Sequence, residues 1–315
     1  MSSISINQIK YVLALDRTGS FSEAADSCFV TQSTLSTMVK KLEESLDIKL
    51  FDRKSKPIKL TEEGQKLIDQ FKVVFNESEN LLELVQETKE EFNGSLNIGI
   101  IPTLAPFLLP LFLDKIVKKF PKIEFSIFEI TTNEIVSRLK LREIDIGLLS
   151  LPIKDKEIHS LPLFQEEFMV YDTSTKARGK KKYAVNDIDL SRLWLLEESH
   201  CLTNQIENIC NLRNKNKSEN NLHFKSGSLL TLLKLIHKNK GITLLPKLAT
   251  LQSKLINVKY VHPLQSPTPV REIGFAMHSN FNKKRILNVL KEKILQSVEH
   301  KLGDAKKSQI IEPFS

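Results

Sequence analysis

Ser20-Phe21-Ser22-Glu23-Ala24-Ala25-Asp26-Ser27-Cys28-Phe29-Val30-Thr31-Gln32-Ser33-Thr34-Leu35-Ser36-Thr37-Met38-Val39-Lys40-Lys41-Leu42-Glu43-Glu44-Ser45-Leu46 reads as a short helix, a tight turn and a second helix. Ser20 is a capping residue, and Ala24-Ala25 are small enough for close helix packing. Leu35, Met38, Val39, Leu42 and Leu46 recur at helical spacing and form a buried stripe. The opposite face carries Ser33, Thr34, Ser36, Thr37, Lys40 and Lys41. Ahead of it, Ile6, Ile9, Val12, Leu13 and Leu15 mark a helix to Thr18 that Gly19 ends. This periodicity alone fits a plain three-helix core with a solvated face, so the segment that follows decides the reading. Lys49 to Lys59 holds five basic residues against one acidic residue, in two short extended pieces. That pattern is a wing, whose bases lie along phosphates, and the whole is a winged helix-turn-helix. Its second helix enters the major groove N-terminus first. Thr31, Gln32, Ser33, Thr34, Ser36 and Arg53 are therefore the candidate DNA contacts.

From Thr61, a capping residue followed by Glu62 and Glu63, a helix is expected to about Phe92. Leu67, Phe71, Val74, Ser78, Leu81, Val85, Thr88 and Phe92 alternate four and three apart, as in a coiled-coil seam. Asn93-Gly94 ends it. The organisation expected is a DNA-binding domain at 1–60, a linker and dimerisation helix at 61–92, a regulatory domain at 93–300 and a frayed tail at 301–315.

Beyond Gly94 strands and helices alternate. Strands are expected at Leu96–Ile101, Glu124–Phe128, Ile144–Leu149, Glu167–Tyr171, Leu193–Leu196, Leu222–Lys225, Ile242–Leu245 and Ile273–Met277. Helices are expected near Leu111–Phe120, Asn133–Arg142, Ser228–Lys238 and Lys283–His300. This is the grammar of an α/β fold with right-handed crossovers, in which ligands bind outside the carboxyl ends of strands.

The chain has 315 residues, with 41% apolar and 27% charged side chains and a net charge of +8. That charge is no argument for nucleic acid, because residues 1–92 hold 12 Lys and Arg against 16 Asp and Glu. The excess lies in Lys176–Lys182, Arg213–Lys217 and the tail near Lys306, runs that read as solvated loops. No charged-then-apolar leader and no apolar run of about 18 residues occur, so the expectation is a cytoplasmic protein. No phosphate loop, nucleophile elbow or metalloprotease signature appears, and neither an enzyme nor a cofactor is expected.

Two of the three cysteines, Cys201 and Cys210, stand nine positions apart. Leu202, Ile206, Ile209 and Cys210 recur at helical spacing, with Ser199 or Thr203 as a cap. Nine helical residues place the sulfurs on opposite faces, ~13.5 Å apart along the axis, whereas a disulfide needs Cα atoms about 4.4–6.8 Å apart. A bond requires the segment to unwind, which joins oxidation to refolding. His200 and the helix start are groups that lower a thiol pKa from about 8.5. Buried, inert packing is the competing reading, above all for Cys210. A zinc site of His200, Cys201, Cys210 and His223 lacks the tight cysteine pairing of structural zinc.

Ala24-Ala25, Gln32-Ser33-Thr34-Leu35-Ser36, Leu42-Glu43, Leu50-Phe51-Asp52-Arg53 and Thr61-Glu62-Glu63-Gly64 resemble the N-terminal signature of LysR-type transcriptional regulators. Ala25-Asp26-Ser27-Cys28, Ile98-Gly99-Ile100-Ile101-Pro102-Thr103, Leu108-Leu109-Pro110, Gly241-Ile242-Thr243-Leu244-Leu245-Pro246, and His200-Cys201 with Cys210, resemble the hydrogen peroxide-sensing OxyR group within that family. The resemblance implies a two-lobed, periplasmic-binding-protein-like α/β effector domain, with lobe I at about 93–165 and 268–300 and lobe II at about 166–267. It implies a homotetramer, a dimer of dimers, that binds double-stranded promoter operators, engages RNA polymerase and controls antioxidant genes. Peroxide would be the signal and a Cys201–Cys210 disulfide the activated state, with Cys201 attacking and Cys210 resolving. Thr103, Thr132, His200, Gln205 and His223 would line the peroxide pocket, and a glutaredoxin- or thioredoxin-like reductant would reset the switch. The chain departs at Thr203-Asn204, where members often carry Arg-Asp, and at Asp47, where glycine is usual. Two other functions fit the residues: a LysR-type regulator that binds a small metabolite between its lobes, and a thiol peroxidase with an appended DNA-binding domain.

Overall fold

The computed structural model describes residues 4–87, 94–174, 180–197, 201–210, 228–252, 256–302 and 308–313. The chain divides into two units, Met1–Glu91 with Lys140–Glu143, and Phe92–Leu139 with Ile144–Ser315.

The first unit opens with α1 (Ile6–Thr18), which starts at a capping box: Ser5 accepts from Gln8 N, and the Gln8 side chain accepts from Ser5 N. That Ser-x-x-Gln signal escaped the sequence reading. Gly19 ends α1 at φ 65°, and a Cβ there would lie 2.7 Å from Pro57 Cβ, so only glycine permits both the turn and the approach of the wing. α2 (Phe21–Ser27) and α3 (Gln32–Leu46) follow, capped by Ser20 and Thr31. β1 (Phe51–Asp52) and β2 (Lys59–Leu60) pair antiparallel as the wing. Thr61 Oγ1 then accepts from Gly64 N to start α4 (Glu62–Glu87). Val12, Leu15, Leu35, Val39, Leu42, Ile68 and Phe71 form the core. The expected seam of α4 thus divides: Phe71 is buried in this core, whereas Val74 and Leu81 are 37% and 63% exposed. Thr88 and Phe92 lie outside the described residues.

The second unit runs β3 (Gly94–Ile100), α5 (Ala105–Lys119), β4 (Ile123–Glu129), α6 (Thr132–Lys140), β5 (Ile146–Leu151), β6 (Ile158–Asp172), α7 (Cys201–Ile209), α8 (Leu229–Asn239), β7 (Ile242–Pro246), α9 (Lys247–Gln252), β8 (Val261–Pro263), β9 (Thr268–His278), α10 (Lys284–Leu302) and β10 (Ser308–Ile310). Strand order is β4-β3-β5-β9-β6-β7, with β8 on β6 and β10 on β9. β3 pairs parallel with β4 and β5, while the long strands β6 and β9 pair antiparallel with one another. β6, 15 residues long, pairs with β9 along its first part and with β7 and β8 along its last, and so joins the two sets of strands.

Two expectations are corrected. Leu193–Leu196 is not a strand: Leu193 makes an isolated bridge to Ile242, and the apolar run packs as irregular backbone. Nor are the described residues of the expected tail at 301–315 frayed, 303–307 and 314–315 lying outside the described residues. α10 reaches Leu302, Ser308–Ile310 pair parallel with Thr268–Val270, and Ile311 and Pro313 are buried. The expected strand at Leu222–Lys225 lies outside the described residues.

Candidate functional site

α7 begins at Cys201 and ends at Ile209, with Cys210 in the turn beyond it. The three cysteines are free thiols, all buried. The two ends of this helix are therefore separated by ~12 Å of rise, with Cys210 one residue further on. Thr203 is buried inside the helix and does not cap it. Its hydroxyl donates to Leu196 O at 3.1 Å and to Glu197 O at 3.2 Å, tying the first turn to the preceding chain. Ser199, the other expected cap, lies outside the described residues.

Around Cys201 the main charge is one that sequence reasoning missed. Arg271, on β9, is 0% exposed. Its Nε donates to Glu166 Oε2 at 2.9 Å and its Nη1 to Thr103 Oγ1 at 3.1 Å. Nη2 lies 2.8 Å from Glu166 Oε2 and donates to Thr103 O at 3.3 Å. Glu166 and Arg271 are cross-strand partners, and Glu166 Oε1 also accepts from Leu248 N at 2.7 Å. Such a buried pair persists only with its hydrogen bonds filled. The available signal was the β6–β9 register, which sequence alone does not supply.

Burial pushes the Cys201 thiol above its ordinary range; the Arg271 guanidinium, the Thr132 side chain and the backbone amides of Leu202 and Cys201 pull the other way. The expected lowering is thus corrected, because desolvation of the thiolate outweighs the helix start and the nearby cation. His200, expected to contribute, lies outside the described residues, as does His223.

The other pocket residues expected from sequence are buried polar groups of this region. Thr103 is 1% and Thr132 2% exposed. Gln205, one helical turn from Cys201, is 0% exposed. Its Nε2 donates to Ser150 Oγ at 3.1 Å and to Ile311 O at 2.7 Å. Among the described residues, Thr132 Oγ1 and Gln205 Oε1 make no hydrogen bond. The Thr132 hydroxyl favours the Cys201 thiolate while making no hydrogen bond to the neutral thiol.

In the first unit, Thr31, Gln32, Ser33 and Thr34 are exposed and Ser36 is half-buried. Thr31 caps α3 by accepting from Thr34 N at 3.2 Å, and its hydroxyl bonds those of Ser33 and Thr34. Arg53 is not a free cation: its Nη2 donates to Glu43 Oε2 at 2.9 Å, and its guanidinium lies 5.3 Å from the Phe21 ring centroid. Glu43, 1% exposed, also accepts from Leu50 N and Phe51 N. No helix among the described residues is long and apolar enough to cross a membrane.

Residues 6–65 match the bacterial regulatory helix-turn-helix protein, lysR family, and residues 89–297 match the LysR substrate binding domain. The chain is 32% identical over 273 residues to a hydrogen peroxide-inducible genes activator of Dickeya chrysanthemi, covering 86% of this chain and 88% of that protein. It is 35% identical over 245 residues to the HTH-type transcriptional regulator EstR of Acinetobacter baylyi, covering 78% and 80%. A full-length OxyR variant from Pseudomonas aeruginosa superposes with a TM-score of 0.76 at 26% identity, covering 94% and 96%.

Proposed function

The chain belongs to the LysR family of bacterial helix-turn-helix regulators, and from that premise we propose that it senses hydrogen peroxide through Cys201 and Cys210 and controls transcription in response. One observation carries this reading. Cys201 opens α7 in the field of the buried Arg271, and Cys210 follows the last residue of the same helix. Arg271 favours the thiolate, the species that attacks peroxide. Glu166 offsets its charge and holds it in place, and Thr103 fixes its other side. Thr132 Oγ1 and Gln205 Oε1 supply unpartnered polar atoms of the kind a small hydroxylic molecule would engage.

In the first step the Cys201 thiolate attacks one peroxide oxygen, the O–O bond breaks, and hydroxide leaves to take up a proton as water. Cys201 is then a sulfenic acid. After α7 unwinds, the Cys210 sulfur attacks Cys201, forming the disulfide and releasing the hydroxyl, with a proton, as a second water. A dithiol reductant of the glutaredoxin or thioredoxin type returns the two electrons. Unwinding re-spaces the DNA-binding units of an oligomer, a dimer of dimers joined in part through α4, whose Val74 and Leu81 are exposed. Thr31, Gln32, Ser33, Thr34 and Ser36 read the operator from the start of α3, and Arg53 contacts its backbone from the wing.

A second reading is a regulator that responds to a small metabolite, with Cys201 as packing. The burial that keeps the thiol protonated favours it, as does the similarity to EstR. Mass spectrometry of the native protein before and after brief low-micromolar peroxide separates the two. The peroxide reading expects a Cys201–Cys210 bond within one subunit, with Cys28 reduced. Unmodified thiols with an unchanged DNA footprint would falsify it.

A further inference from the structure

We propose that residues 308–313 form a C-terminal strap that clamps α7 in its helical form, so that release of the strap and unwinding of α7 are one coupled event. The strap is built from two anchors. Along its backbone, β10 continues the lane that β5 vacates on β9: Leu151 of β5 faces Glu272, and Ile310 of β10 faces Val270. Ile311 N extends this pairing by donating to Val270 O at 2.8 Å. The second anchor is the Ile311 carbonyl, which accepts the 2.7 Å hydrogen bond from Gln205.

Both anchors lie next to the redox chemistry. Gln205 is four residues from Cys201, on the same face of α7, and Val270 is bonded directly to Arg271. Side chains seal the arrangement, since Ile311 is 9% exposed and Pro313 is buried, while Glu312 pairs with Lys154 at 2.9 Å outside. Gln205 is fully buried, so its amide cannot exchange the Ile311 carbonyl for water while α7 stays in place; a buried acceptor left unmade is costly. Unwinding residues 202–209 removes Gln205 from Ile311. Loss of the strap in turn strips Gln205 of α7 of its carbonyl partner. Coupling between two such elements is reciprocal.

The redox half of this inference, that the clamp sets the peroxide concentration at which the switch operates, rests on the function proposed above; the clamp itself does not. Amide hydrogen exchange on the full-length reduced protein tests the clamp. Ile311→Asp places a charge in a buried site and should speed exchange at 308–312 and, with it, at 202–209, by about tenfold or more, beyond the worth of one hydrogen bond. Gln205→Met removes the bond from the other side and should speed exchange of the strap about fivefold; it carries the test if Ile311→Asp does not fold. A detached strap over an α7 of unchanged protection overturns the proposal. Peroxide titration then separates the two claims. Coupled exchange in protein whose thiols never oxidise would leave the clamp standing and remove the sensing function. Disulfide formation with the strap amides still protected would do the reverse. With both intact, Ile311→Asp should form the disulfide at lower peroxide than wild type.

Discussion

Among the described residues each unit buries one glutamate beneath an arginine, and the two pairs differ in where the arginine goes. Glu43 and Glu166 are 1% and 0% exposed. Both accept backbone N–H groups, from Leu50 and Phe51 in one and from Leu248 in the other. Arg53 keeps 39% of its side chain in solvent, while Arg271 keeps 1%. The first guanidinium therefore stands as a braced post on the surface, able to hold a phosphate with the N–H groups Glu43 leaves free. The second is sealed against Thr103 and biases a buried thiol. On the function proposed above, one local device would serve an external partner in one unit and an internal reaction in the other, with solvent access making the difference.

Removing the sealed arginine is the harshest test of that contrast. Arg271→Met leaves the Glu166 carboxylate buried without its cation, which should destabilise the regulatory unit by about 3–5 kcal/mol. Pairing it with Glu166→Gln should recover more than half of that loss, since the penalty comes mainly from the orphaned charge. Denaturant unfolding of the two variants measures it. A loss under about 1 kcal/mol for Arg271→Met would mean the pair is far less desolvated than its burial implies.

The exposed arginine should behave differently. Arg53→Ala should cost about 1–2 kcal/mol of stability, below the about 1.5–3 kcal/mol of a hydrogen bond to a charged group because the guanidinium is solvent-screened and Glu43 keeps its two backbone donors. It should also weaken binding to every DNA sequence and lower the salt slope by about one. Gln32→Ala should leave folding untouched and cost about 1–3 kcal/mol on the cognate operator alone. If Arg53→Ala changed stability but left DNA binding intact at every salt concentration, Glu43 would be its whole purpose.

How much of this was legible in the sequence follows the same division. α3 announces itself through Leu35, Val39 and Leu42 at helical spacing, because a surface helix sorts its residues by face, whereas its cap at Thr31 came only with the structure. The wing was legible in its bases. Arg271 was not, since an arginine in a strand reads as a solvent-facing position until its cross-strand partner is known. β10 escaped for a related reason: a three-residue strand whose partner lies 40 positions earlier carries no local pattern. The apolar run at Leu193–Leu196 misled because burial, not pairing, explains it; Trp194 covers Gly241, where a Cβ would meet its ring at 2.7 Å. The direction of the Cys201 shift was misjudged because His200 and a helix start are visible in sequence and desolvation is not.

Acidity at the sealed site gives the next test in size. Burial raises the Cys201 thiol, so the neutral form dominates at pH 7. Its alkylation or peroxide oxidation should then climb about tenfold per pH unit and continue past the ~8.5 of an unperturbed thiol. The linked stability has a fixed sign. The neutral buried thiol contributes fully below the unfolded value of ~8.5 and is lost as pH rises through the higher folded value. Arg271→Met should move the reactivity curve further to alkaline pH. A rate that levelled off below about pH 8 would show the cation outweighing burial.

The smallest effect sharpens the comparison from the DNA-reading side. Asp47 ends α3 at φ 56° and ψ 36°, in the left-handed region. Ile48 N reaches back to Glu43 O at 3.1 Å and Asp47 N to Glu44 O at 3.4 Å, the two bonds of a Schellman ending. Glycine takes that conformation without the Cβ clash that aspartate meets. Asp47→Gly should therefore stabilise the DNA-binding unit by about 0.5–1 kcal/mol, less whatever glycine gives back through a more flexible unfolded chain. Operator preference should not change, because Asp47 lies at the far end of α3 from Thr31, Gln32, Ser33 and Thr34. Unfolding midpoints and operator binding, measured on the same variant, check both halves. No such free adjustment is open in α7, whose polar side chains Thr203 and Gln205 are committed to Leu196, Glu197, Ser150 and Ile311 outside the helix. A helix whose exposed polar start bonds only within itself, as Thr31, Ser33 and Thr34 do, can be tuned from its far end, whereas one whose polar side chains are held by its neighbours transmits any change to them. A shift in operator preference on Asp47→Gly would show that α3 is not insulated in this way.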